Sequence, residues 1–95
     1  MLTVTEKAKQ QLKEILETHT DDPEVGLRML REPSGQIELV LSKADNHDQV
    51  VEHEGAKVLL LEPDVISLVD NTVLDVQDSV DGPVFFFSQY GNNRN

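Results

Sequence analysis

The sequence predicts an α+β domain rich in sheet, and three observations point to it. Apolar residues recur at three- and four-residue steps near the start of the chain, from Glu24 onward they mostly alternate, and the alternating segments are divided by Pro, Gly, Asn and Asp. The first period belongs to an amphipathic helix, the second to strands with one buried face, and the dividing residues to turns. At 95 residues the chain is one domain, since domains typically hold ~100–150 residues. Residues 1–89 carry the pattern, and the polar tail 90–95 is expected to be disordered.

The helix is predicted from about Glu6 to Thr18. Ala8, Leu12, Ile15 and Leu16 form its apolar stripe, Thr5 can cap its free amides, and THTDDP stops it. Val25, Leu27 and Met29 then alternate with their neighbours, as do Ile37, Leu39 and Leu41 after the turn Glu32-Pro33-Ser34-Gly35, which makes a hairpin. A polar loop, Lys43 to Asp48, leads to a strand at Gln49 to His53, and Glu54-Gly55 turns it into AKVLLL as a second hairpin. Pro63 suits the first turn of a short helix buried through Val65, Ile66, Leu68 and Val69 and ended by Asp70-Asn71. A strand at Val73 to Asp78, the turn Asp81-Gly82-Pro83 and the run Val84-Phe85-Phe86-Phe87 complete the order. That last run suits a central strand with both faces covered. The result is about six strands with an N-terminal helix and a second short one.

Composition removes several functions. With 18 acidic against 8 basic residues the net charge is -10, which repels phosphate backbones and anionic lipid, so neither nucleic acid nor membrane is an expected partner. No apolar run approaches the ~20 residues of a membrane-spanning helix, and MLTVTEKAKQQ lacks the basic and apolar regions of a signal peptide. A soluble, cytoplasmic protein is expected. The chain has no cysteine, which removes disulfides, thiolate nucleophiles and thiolate metal ligands together.

Chemistry-bearing constellations are sparse. His19, His47 and His53 have neither the i, i+4 nor the His-x-His spacing that aims two imidazoles at one metal. Asp45-Asn46-His47-Asp48 offers ligands within one loop but lacks the order of a calcium loop and reads as solvated. The serines Ser42, Ser67, Ser79 and Ser88 show no nucleophile elbow or activating partner, and no Gly-rich phosphate loop is present. Phe85, Phe86 and Phe87, without a basic groove around them, read as core. No enzyme activity is expected.

Taken in order, the segments resemble the A-type iron-sulfur cluster assembly family, the HesB-like domain. Val4-Thr5-Glu6-Lys7-Ala8 with Leu12 is similar to its opening, Gly26-Leu27-Arg28 to its Gly-Leu-Arg strand, and Pro33-Ser34-Gly35 before Ile37, Leu39 and Leu41 to its Cys-Ser-Gly turn and following strand. Val58-Leu59-Leu60-Leu61, Ser67-Leu68-Val69-Asp70 and Thr72-Val73-Leu74-Asp75 resemble its strand, short helix and Leu-Asp strand, and Phe85-Phe86-Phe87 its closing Phe-x-Phe. The resemblance runs from Leu2 to Gln89. It implies compact mixed sheets with two helices, dimers or tetramers as assemblies, and a place in a pathway that builds or delivers iron-sulfur clusters.

The ligands, however, are missing. The family holds iron or a cluster through a cysteine in the Cys-Ser-Gly turn and two in a C-terminal Cys-Gly-Cys, whereas Pro33 stands at the first position and Tyr90 to Asn95 contain no sulfur. Soft anionic thiolate is what stabilises such a cluster, so none of these roles transfers and no cofactor is expected. The resemblance then implies an accessory or regulatory protein-interaction module of iron-sulfur or sulfur metabolism, with a homodimer allowed and an acidic surface that favours basic protein partners. Its expected contact site is the turn Glu32, Pro33, Ser34, Gly35 and Gln36, where the family's ligands would converge, although such a turn can equally do no more than join two strands. The alternative is a non-thiolate iron or zinc binder using carboxylates with His47 or His53.

Overall fold

The computed structural model describes residues 2–34 and 37–89. Its elements are β1 (Thr3–Val4), α1 (Glu6–His19), β2 (Val25–Arg31), β3 (Ile37–Lys43), β4 (Gln49–His53), β5 (Ala56–Leu61), α2 (Pro63–Val69), β6 (Thr72–Ser79) and β7 (Gly82–Gln89). Two helices and seven strands form an α+β fold in two mixed sheets, ordered β1-β6-β7 and β3-β2-β5-β4. The predicted elements are all present. The addition is β1, which pairs in parallel with β6 through Thr3 and Val4; two residues are too few to show a period.

Local chemistry explains the boundaries. Thr5 Oγ1 accepts from the Ala8 amide at 3.1 Å, capping α1, and donates to Asp75 Oδ1 on β6 at 2.9 Å, which ties the start of the helix to the sheet. The Val76 amide also donates to that carboxylate, and these two bonds hold the Asp75 carboxyl below its ordinary range, the amide acting more strongly. At the helix end His19 Nδ1 lies 2.8 Å from the Ile15 carbonyl, consistent with imidazole at a C-terminus. Between β4 and β5, Glu54 and Gly55 both take positive φ, 53° and 84°, the geometry that matches hairpin twist.

The core lies between the sheets under α1. Ala8, Leu12 and Leu16 of the helix meet Leu27 and Met29 of β2, Leu59 and Leu61 of β5, and Leu74 and Val76 of β6. The strand covered on both faces is β5, in which Val58, Leu59, Leu60 and Leu61 are all fully buried. Expectation and structure part at the phenylalanine run: β7 is not central but stands at the edge of its sheet. Phe85 and Phe87 pack against the core while Val84 and Phe86 are 52 % and 40 % exposed. A continuous apolar run hides this alternation, because inward and outward positions carry the same residue type.

Gly26 brings β2 and β5 together. A Cβ there would stand 2.4 Å from the Lys57 carbonyl oxygen and 3.2 Å from Leu60 Cγ, so only glycine admits the parallel pairing whose register sets Arg28 beside Leu60.

Candidate functional site

Strand β2 positions two arginines on opposite faces, because side chains alternate along it. Leu27, Met29 and Arg31 share the face toward the core, and Arg28 projects from the other face, over Leu60.

Arg28 is the centre of a polar knot. Its Nη1 donates to Asp48 Oδ1 at 2.7 Å and its Nη2 to Asp48 Oδ2 at 2.8 Å, a bidentate pair. Nε donates to Ser42 Oγ at 3.1 Å, Nη2 also to the Lys43 carbonyl at 3.0 Å, and Nη1 also to Glu62 Oε2 at 3.2 Å. The Asp48 side chain is 1 % exposed and that of Arg28 12 %, so the pair is largely withdrawn from water. Asp48 Oδ2 accepts from the Asp45 amide at 2.7 Å, and Asp45 Oδ1 accepts from the His47 amide at 3.0 Å, which closes the loop on itself. The Arg28 hydrogen bonds hold the Asp48 carboxyl below its ordinary range, helped by the Asp45 amide and opposed by burial. The loop is therefore not the solvated acidic one its composition suggests: Asp45 and His47 are exposed, but Asp48 is a buried strut.

The other end of β2 is open. Arg31, Ile37, Leu68, Val69, Thr72 and Phe87 line a groove of about 210 Å³ between the β2–β3 hairpin, α2 and the ends of β6 and β7. It is where the core reaches the surface: Ile37 and Phe87 pack on core residues and Val69 belongs to the core, while Leu68 is 54 % exposed. Arg31 is exposed and makes no ion pair with a described residue.

The predicted contact turn adjoins this groove. Glu32, Pro33 and Ser34 are exposed between Arg31 and Ile37, whereas Gly35 and Gln36 lie outside the described residues, as do Tyr90 to Asn95. Their chain neighbours Arg31 and Ile37 line the groove, but Glu32, Pro33 and Ser34 are not among its lining residues; strand alternation does not reveal the groove, since its lining comes from separate elements. The histidines point elsewhere. His47 Nδ1 lies 3.0 Å from Asp45 Oδ1, and His53 Nε2 lies 3.2 Å from Gln10 Oε1 on the α1 side of the molecule. Among the described residues no three His, Asp or Glu side chains converge as a set that could hold a metal. A cluster does not fit the donor set either, because the 95 residues contain no thiol. Among the described residues, no helix is long and apolar enough to cross a membrane.

No protein-family model matches the sequence. A search of curated proteins by sequence finds no significant match either. Solved structures do match the fold. Escherichia coli SufA, described as involved in biosynthesis of iron-sulfur clusters, superimposes with a TM-score of 0.67 at 25 % identity, covering 93 % of this chain and 84 % of SufA. IscA with a [2Fe-2S] cluster gives a TM-score of 0.61 at 19 % identity, over 94 % of this chain and 85 % of IscA. A protein from Aquifex aeolicus solved in solution gives 0.59 at 22 % identity, over 93 % and 90 % of the two chains. The fold is that of A-type iron-sulfur assembly proteins, carried here without cysteine.

Proposed function

We propose that this chain uses an A-type scaffold for protein contact rather than for cluster chemistry, as an accessory or regulatory module of iron-sulfur or sulfur metabolism in the cytoplasm. The observation that carries the reading is the superposition on SufA over 93 % of the chain, combined with a sequence that offers no thiolate. A scaffold that matches over this span without offering a thiolate has its surface left to act with. That surface carries a net charge of -10, which speeds encounter with basic proteins and repels nucleic acid and anionic membranes. The module is non-enzymatic. The contact site is the exposed turn at Glu32, Pro33 and Ser34 with the groove beside it, where the chain leaves apolar side chains uncovered.

Anaerobic reconstitution with ferrous iron and sulfide tests the first half of this reading. The expected outcome is no stable coloured species after desalting; a species absorbing in the visible at stoichiometric iron overturns it. Replacing Pro33 by Cys is expected to leave that result unchanged, since a single thiolate cannot hold a cluster.

A further inference from the structure

The groove beside Arg31 combines a cationic side chain with an apolar lining. Lys7, Lys9, Lys13, Arg28 and Lys57 each lie within ion-pair distance of a carboxylate. In a chain with 18 acidic residues, Arg31 makes no such pair with any described residue although it lines the groove. The walls around it are Ile37, Leu68, Val69 and Phe87, of which Leu68 is 54 % exposed. An unpaired guanidinium at the mouth of an apolar slot is complementary to an apolar side chain with an anion attached close by. The slot's volume of about 210 Å³ is below the ~300–1,000 Å³ of small-molecule pockets and suits a single large side chain.

We propose that this groove seats a segment of a partner protein in which a large aliphatic or aromatic side chain stands next to an Asp or Glu, with basic residues on either side. The apolar side chain enters between Leu68 and Phe87, the neighbouring carboxylate pairs with Arg31, and the basic flanks answer the net charge of -10. A second copy of this chain is the less favoured occupant, because it would bring two such charges together. The inference rests on the reading of the chain as an interaction module and names its partner's chemistry.

The test is an NMR titration of the full chain with capped peptides. Lys-Lys-Leu-Asp-Lys-Lys is expected to shift the amides of Arg31, Leu68, Thr72 and Phe87 saturably. Changing its Asp to Asn is expected to weaken binding about tenfold, the worth of a charged hydrogen bond at a partly exposed site. Changing its Leu to Ala is expected to abolish saturation. Arg31→Glu reverses the preference toward Lys-Lys-Leu-Lys-Lys-Lys, and Leu68→Ser weakens all peptides, while Lys43→Glu, at a lysine away from the groove with no ion pair to a described residue, changes neither. Both groove residues are exposed, so these variants keep the fold. Equal affinity for the Asp and Asn peptides, shifts confined to acidic patches elsewhere, or no saturable shift at all overturns the proposal. So does a concentration-dependent dimer that Leu68→Ser dissolves, which assigns the groove to a second copy, or a change of the groove amides on removing residues 90–95 without peptide. Colour on reconstitution bears on the absence of cluster binding, whereas loss of Asp over Asn discrimination bears on the groove alone.

Discussion

Arg28 and Arg31 lie on one seven-residue strand and end in opposite states. Arg28 leaves the outer face of its sheet and is met there by the buried Asp48 carboxylate of the loop after β3, by the Ser42 hydroxyl and Lys43 carbonyl of β3, and by Glu62 just before α2. Arg31 leaves the core face where the core runs out, and no described carboxylate meets it. The difference teaches that charge alone does not mark function on this molecule. A guanidinium whose hydrogen bonds are satisfied internally holds structure, and one left beside uncovered apolar side chains is available to something outside.

The sharpest way to break this comparison is to remove the partner of the closed arginine. Asp48→Ala leaves Arg28 largely buried and frees the Asp45 amide, and is expected to lower stability by ~3 kcal/mol, the lower end for a broken buried pair. Urea unfolding measures it. Arg28→Met with Asp48→Leu is expected to recover part of that loss, since both buried charges go together and Glu62, which loses a partner, is half exposed to water. A fall below ~1 kcal/mol for Asp48→Ala would place the pair in the class of surface ion pairs.

Acid tests the same contact without a mutation. The folded Asp48 carboxyl titrates below its unfolded value, so its contribution is complete above that value, ~3.9, and is lost as pH falls through the folded one. The stability gap between the wild type and Asp48→Asn is therefore expected to stay constant from pH 7 to ~5 and to shrink below ~4. A gap that changes near neutrality would show that another group governs the knot.

Gly26→Ala probes the backbone beneath Arg28. The new methyl group would meet the Lys57 carbonyl, a backbone atom that cannot rotate away, so a loss of ~1–3 kcal/mol is expected from overpacking. Thr5→Ala removes both the cap of α1 and the bond to Asp75, with an expected loss of ~1 kcal/mol that Thr5→Ser restores.

How far these features can be read from residue order depends on their range. The stripe Ala8, Leu12, Leu16 and the turn Glu54-Gly55 are local, and periodicity and turn chemistry find them. The order of segments also carries the A-type resemblance that the superposition on SufA supports. The edge position of β7 is not legible, because three consecutive phenylalanines erase the difference between inside and outside. Nor is the bond from Arg28 to Asp48: it joins residues 20 apart, and Asp48 belongs to a loop whose composition suggests water. The groove is the least legible feature, assembled from the ends of β2, β3, α2, β6 and β7. Arg31, which gives it charge, carries no signal in its own segment, and Leu68, whose segment marks it as part of the buried side of α2, is instead 54 % exposed.

The smallest expected stability change lies at the open end. Arg31→Ala removes a side chain with no described ionic partner, and Leu68→Ser removes apolar surface that already faces water, so each should change unfolding free energy by less than ~0.5 kcal/mol. Beside the ~3 kcal/mol expected for Asp48→Ala, this contrast decides whether the two arginines have different work. If Arg31→Ala destabilises the chain as much as Asp48→Ala does, Arg31 is a structural residue and the groove loses its charge specificity. If it leaves stability untouched while removing the preference for an acidic peptide, what the chain keeps at this end serves contact and not folding.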